Sequence, residues 1–230
     1  MKYTTFVALL LLSAQCLAAD LQNAIQAIES EWASVYYKQT SKNQEQGVAY
    51  TELLKKAEQL GAQFPNSSEP LFWQAVILAT NAELQDGFTA LKAIHKARDL
   101  LLGAIKIDPN TANGSAYVTL GTLYYMTPKW PIAFGDDEKA EYMLKAGLKV
   151  NPNSIDANYF YGDFLLSKKE YQKAQQYFEK AASIPSRTEQ TFADDRLKEE
   201  AKLALSNAKN RKFQGIKNAF LSIFNSASSQ

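Results

Sequence analysis

The residues that could do chemistry are few, and none of them stands in a catalytic spacing. The chain has one histidine, His95, and one cysteine, Cys16. His95 lies in a helical stretch with no motif carboxylate near it, so we expect a solvent-facing or satisfied side chain rather than a base or a ligand. The sequence has no glycine-rich phosphate loop, no metal-ligand spacing and no nucleophile elbow. We therefore expect no enzyme activity, no metal and no cofactor.

The segment with the strongest potential for binding is residues 127–137, TPKWPIAFGDD, called here the 127–137 loop. A solvated loop gains nothing from its apolar side chains, so we expect it to fold back onto the protein or to cover a ligand. The first alternative makes the loop a packing plug, and the second makes it a lid. As a lid, Trp130 and Phe134 would enclose a small apolar ligand together with Tyr124 and Tyr125. Both alternatives stay open.

Two acidic residues end this loop. Asp136 and Asp137 stand where the next helix should begin. A carboxylate at that position can accept hydrogen bonds from free backbone amides and complements the helix dipole. We expect capping here, and cation binding is the alternative.

The first residues predict export. Lys2 precedes a short apolar run that ends in small residues, the pattern of a signal peptide over residues 1–19. The run is shorter than the roughly 20 residues that a membrane span needs. Gln15 stands before Cys16, where lipid modification requires a small residue. We therefore expect a cleaved chain without a lipid, periplasmic or secreted.

The charges of the chain are balanced, with 25 Lys and Arg against 24 Asp and Glu. This composition offers no electrostatic footprint for nucleic acid or for an anionic membrane. Residues 213–230 hold a short apolar stripe with one lysine, followed by a polar tail that we expect to be disordered. The stripe could dock on the protein or on a membrane, and we expect docking on the protein.

The elements that must position these residues recur along the chain. Ala140, Leu144 and Gly147 are repeated 34 residues later by Ala174, Phe178 and Ala181. Such a period is typical of helical units that stack on their neighbours. Periodicity and proline stops predict helices at about 21–39, 47–63, 71–79, 89–107, 115–126, 137–150, 155–167, 171–183 and 191–212.

The unit at 155–185 resembles the tetratricopeptide repeat (TPR) family. Small residues stand where paired helices cross and large ones fill the gaps, at Gly162, Tyr171, Ala174, Phe178 and Ala181. The resemblance extends over about residues 69–185. It implies an all-α, TPR-like solenoid of helical hairpins over residues 20–212, ending in a C-terminal capping helix.

The resemblance also implies a concave groove, lined by the first helix of each pair, that binds extended peptides. Carried over by register, the groove residues are Ser115, Val118, Thr122, Tyr125, Asp156, Tyr159, Asp163 and Leu166. The tyrosines offer a flat apolar body with a polar tip, which suits recognition. Packing of Tyr125 and Tyr159 against neighbouring helices is an equal alternative.

We therefore expect a non-catalytic periplasmic binding or scaffold protein whose partner is a protein or a peptide. The signal peptide and the GDDEKA helix start at 135–140 are similar to the periplasmic repeat subunit of tripartite ATP-independent periplasmic (TRAP) transporters. That similarity implies a homo-oligomer that is accessory to transport and partners with a substrate-binding protein. The alternative is a carrier of a small apolar ligand held between helices under the 127–137 loop.

Overall fold

The computed structural model describes the backbone of residues 2–37 and 43–211, and the side chains of 19–37 and 45–211. These residues form nine α-helices and no strand, so the described fold is all-α. The predicted stripe and tail at 213–230 lie outside the described residues. The helices are α1 Lys2–Tyr37, α2 Asn43–Gln63, α3 Glu69–Asn81, α4 Gly87–Ile107, α5 Ser115–Met126, α6 Asp137–Val150, α7 Ile155–Ser167, α8 Tyr171–Ser183 and α9 Thr191–Lys209.

Local stop and start signals determine the bounds of the middle helices. The bounds predicted for α5, α6, α7 and α8 are confirmed. Asp136 caps α6 by accepting from the backbone amides of Glu138 and Lys139, as expected. Ser154 caps α7 in the same way through the amide of Ala157.

Helix α1 is longer than predicted, because it begins at Lys2 and runs without a break to Tyr37. This stretch contains no proline and no glycine, so nothing in it interrupts helical geometry. The helix therefore runs through the expected signal peptide, and export stays a prediction. Of the described helices, none is both long enough and apolar enough to cross a membrane.

Consecutive helices pack as pairs, α3 with α4, α5 with α6 and α7 with α8. Glycine allows the close crossings that the sequence predicts. A Cβ on Gly121 would stand 2.8 Å from the Leu144 side chain, and one on Gly162 would stand 2.8 Å from the Phe178 ring. Leu144 and Phe178 are themselves fully buried, so the repeated positions form the seams of the pairs.

The odd-numbered helices form an inner ring. Helix α1 contacts α3, α3 contacts α5, α5 contacts α7, α7 contacts α9, and α9 contacts α1 again. Arg187, just before α9, lies 3.4 Å from Glu29 of α1. The rings of Tyr37 and Phe192 meet edge to face with centroids 6.0 Å apart. Helix α9 thus packs on α7 and α8 and also closes the ring against α1.

Candidate binding pocket

The inner ring encloses a pocket of about 430 Å³. All five odd-numbered helices contribute to its wall, together with the turns that follow α3, α4, α6 and α8. Ser115, Thr119 and Thr122 supply hydroxyl groups from one face of α5. Two further groups of side chains, aromatic and acidic, determine the chemistry of the pocket.

The aromatic wall is centred on Trp32. Its ring is stacked on that of Tyr36, one turn later on α1, with centroids 5.1 Å apart and planes inclined by 12°. It also meets Trp73 of α3 at 5.8 Å, and Trp73 contacts Phe72 at 5.3 Å. The Nε1 of Trp32 donates a hydrogen bond to the Thr80 hydroxyl at 3.2 Å. These contacts hold the aromatic faces in place.

Six carboxylates line the same pocket, spread over α1, α3, α7, α9 and the turn after α3. They are Glu29, Glu69, Glu83, Asp156, Asp194 and Glu200. Burial raises the pKa of Glu69, Asp156 and Glu200 above the ordinary range. The cause is desolvation, which disfavours the charged form.

Among the pocket carboxylates, the pKa is raised most at Glu83 and Glu29. Burial, reinforced by the charge of Glu200, raises the pKa of Glu83 to about 7. More than a third of the Glu83 surface stays accessible. Glu83 therefore lines the pocket with part of its surface open to solvent. Burial likewise raises the pKa of Glu29 to about 6, although Arg187 opposes the shift.

Arg187 is the one basic side chain among the lining residues. Its Nη2 lies 2.8 Å from Asp194 Oδ1, its Nε donates to Asp194 Oδ2 at 3.0 Å, and its backbone amide donates to the same oxygen at 2.8 Å. Together with the contact to Glu29, these bonds occupy the guanidinium. Asp156 accepts a hydrogen bond of 2.6 Å from the Ser115 hydroxyl instead. The pocket therefore keeps an excess of negative charge.

The structure places the predicted groove residues in two groups. Ser115, Thr122 and Asp156 line the pocket. The others are buried in contacts between helices: Val118, Tyr125, Tyr159, Asp163 and Leu166. The Tyr125 hydroxyl donates to the Asp163 carboxylate, which joins α5 to α7. Packing, the alternative left open for Tyr125 and Tyr159, is thus what is observed, and these residues do not face an open groove.

The 127–137 loop packs against the protein through Phe134 and exposes Trp130 to solvent. The Phe134 ring packs edge to face on His95 at 5.0 Å and on Tyr124 at 5.7 Å, with the Arg98 guanidinium 4.7 Å from its centroid. Trp130, in contrast, is 85% exposed. Ile132 is 62% exposed as well, so the expectation that the loop hides all its apolar side chains is wrong at Trp130 and at Ile132. None of residues 127–137 lines the central pocket, so the loop is not its lid.

Sequence reasoning missed the residues that α1 and α9 bring to the pocket. Glu29, Trp32 and Tyr36 lie three and four positions apart, so they share one face of α1. The periodicity identifies that face as apolar. Glu29, a charged residue on an apolar face, is the signal that could have identified a site there. Glu200 gave no comparable signal, because it lies in a highly charged helix.

Among the described residues, no three His, Cys, Asp or Glu side chains are arranged to hold a metal ion. The fold and the pocket thus define an all-α protein with an acidic and aromatic central pocket. No protein-family model matches the chain, and a search of curated proteins finds no match.

Proposed function

We propose that this chain is a non-catalytic, TPR-like binding protein that takes a short segment of a partner protein into the central pocket. The observation that carries the proposal is the pocket itself, which lies on the inner faces of five helices. In the family that the sequence resembles, inner faces of this kind bind extended peptides. The exposed tip of the 127–137 loop offers no comparable enclosure.

The size and the lining of the pocket support this function. A volume of about 430 Å³ lies within the range of ligand-binding clefts and accommodates a few side chains of a peptide. Trp32, Trp73 and Tyr36 provide broad, rigid apolar faces, and Thr119 and Thr122 provide hydroxyls that can pair with peptide groups. Rigid aromatic faces with adjacent polar groups are typical of recognition surfaces.

We extend the proposal to the periplasm on the basis of the signal-peptide pattern. The resemblance to the TRAP-associated repeat subunit suggests a substrate-binding protein as the partner and a homo-oligomer as the assembly. Both suggestions come from the sequence.

A second candidate function is that of a carrier of a small apolar ligand. Such a ligand would lie in the central pocket and not under the 127–137 loop. The aromatic wall around Trp32, Phe72 and Trp73 favours it. The six lining carboxylates weigh against it, because a purely apolar ligand would desolvate them without offering a partner.

Site-specific photo-crosslinking in the native host tests the proposal. The photoreactive residue p-benzoylphenylalanine at Thr119, which lines the pocket, should form a covalent adduct with a partner protein. The same residue at Tyr142, which is 70% exposed on α6, serves as the outer-face control and should form none. The added substitution Asp156→Trp should abolish the adduct at 119 by filling the pocket.

Two results would contradict the proposal. One is an adduct from position 130 with none from position 119, which would place the partner on the 127–137 loop. The other is a small-molecule adduct on the purified chain in native mass spectrometry, with no protein adduct at either position. That result would favour the carrier.

A further inference from the structure

We infer that one end of the central pocket, between Glu83 and Glu200, binds a cationic side chain, a lysine or an arginine, of the partner's segment. This inference rests on the proposed function and specifies which segment the pocket selects. Two observations carry it: the surplus of carboxylates and their position beside stacked aromatic faces.

The surplus of negative charge is concentrated away from Arg187. That arginine is occupied by Asp194 and Glu29. Within the part of the chain that the structure describes, Glu69, Glu83 and Glu200 form no ion pair. A cation entering the pocket would therefore meet carboxylates that no basic side chain neutralises.

The two glutamates approach the same aromatic residue from different parts of the fold. Glu83 lies in the turn after α3, and Glu200 lies on α9. Their charges are the two largest charge effects on the Tyr36 hydroxyl, whose pKa burial raises well above its ordinary value. Tyr36 in turn is stacked on Trp32. At this end of the pocket, two carboxylates thus lie near two aromatic rings of α1.

This combination suits an organic cation better than other ligands. A lysine or arginine can lay its aliphatic stem along Trp32 and Tyr36 while its charged head pairs with Glu83 and Glu200. The partly buried carboxylates regain a counter-charge in place of the water that they lose. A neutral ligand would leave them desolvated, and an anion would be repelled.

Charge-matched peptide pools test the inference on the full chain. Three acetylated hexapeptide pools differ only at position 3, which is lysine, norleucine or glutamate, while the other positions vary among Ala, Leu and Ser. An equal mixture is passed over immobilised protein at pH 8, and the retained peptides are quantified by mass spectrometry. We expect about tenfold enrichment of lysine over norleucine, and the least retention for glutamate.

Variants locate the effect. Glu83→Gln combined with Glu200→Gln should bring the enrichment of lysine over norleucine to about one. The control combines Glu58→Gln and Glu179→Gln, two exposed glutamates that pair with Lys96 and Lys209. It removes the same charge outside the pocket and should keep the enrichment. Circular dichroism melting shows that both double variants are folded.

The outcomes separate the two proposals. Equal or greater retention of the norleucine pool overturns the cationic site while leaving segment binding intact. Loss of enrichment in the Glu58 and Glu179 control also overturns it, because the effect would then come from overall charge. If a column carrying the native chain retains no pool better than a column carrying the Asp156→Trp variant, whose pocket is filled, the proposed function falls together with this inference.

Discussion

The 127–137 loop and the central pocket are both rich in aromatic side chains, but they are built in opposite ways. The loop takes Trp130 and Phe134 from neighbouring positions, and it leaves Trp130 85% exposed. The pocket combines Trp32 of α1 with Trp73 of α3 and keeps Trp73 buried. A contiguous apolar stretch is conspicuous in a sequence, whereas a site assembled from separate helices becomes visible only when their packing is known.

Substitutions of Trp73 and of Trp130 should differ most in their effect on the free energy of unfolding. Trp73→Ala removes a buried ring that contacts Trp32 and Phe72, so we expect the free energy of unfolding to fall by about 3–5 kcal/mol. Trp130→Ala removes an exposed ring and should change it by less than about 0.5 kcal/mol. Urea denaturation of both variants measures the difference. Equal losses would show that the loop is packed as tightly as the pocket wall.

A glycine in the loop should have the next largest effect. A Cβ on Gly135 would stand 2.1 Å from the Thr127 carbonyl oxygen and 2.8 Å from that of Pro128, so the backbone must move. We expect Gly135→Ala to cost about 1–3 kcal/mol and to loosen Phe134.

Gly47→Ala is the matched control, because a Cβ there meets nothing within 4 Å and Gly47 lies inside α2. It should stabilise the protein by about 0.5–1 kcal/mol. Urea denaturation measures both variants, and hydrogen exchange of the loop amides localises the change at Gly135. If Gly135→Ala were as stable as the native chain, the loop would have a backbone different from the one described.

The acidic pocket should produce a smaller effect that depends on pH. The pKa of Glu83 is about 7 in the folded chain and near 4.5 when unfolded, so between these values the folded state binds more protons. The free energy of unfolding should therefore decrease as the pH rises from about 4.5 through 7. Glu29, with a pKa of about 6, adds to the same trend.

Glu83→Gln should reduce the change of the free energy of unfolding with pH. The other pocket carboxylates should account for the dependence that remains. Urea midpoints at pH 5, 6, 7 and 8 measure it, with Glu58→Gln as an exposed control that keeps the native slope. An unchanged slope in Glu83→Gln would show that Glu83 is better solvated than its position in the pocket implies.

The sequence predicts local features well because their causes are local. Asn-Pro-Asn at 151–153 ends α6 and Asp136 begins it, and both signals lie within a few residues of the bound that they determine. The resemblance to the TPR family also predicts which face of a helix turns inward, as Ser115 and Asp156 show. It does not predict the depth along that face at which neighbouring helices meet, which is why Asp163 is buried against Tyr125.

The closure of the ring has no local cause. Glu29 and Arg187 are 158 positions apart, and neither stands in a pattern that announces the other. The pocket carboxylates that come from α1 and α9 meet only because those helices do. A repeat pattern predicts that helices form pairs. It does not predict whether the last helix contacts the first.

The contact of α1 with α9 also sets when the pocket is complete. A chain synthesised only as far as α8 has all its repeated pairs, yet it lacks Asp194, Glu200 and the helix that closes the ring against α1. An incomplete chain therefore lacks part of the pocket in which we propose that a partner binds. A bound segment would in turn hold the first and last helices together and stabilise the whole ring. Capture of a partner would thus report that folding is complete.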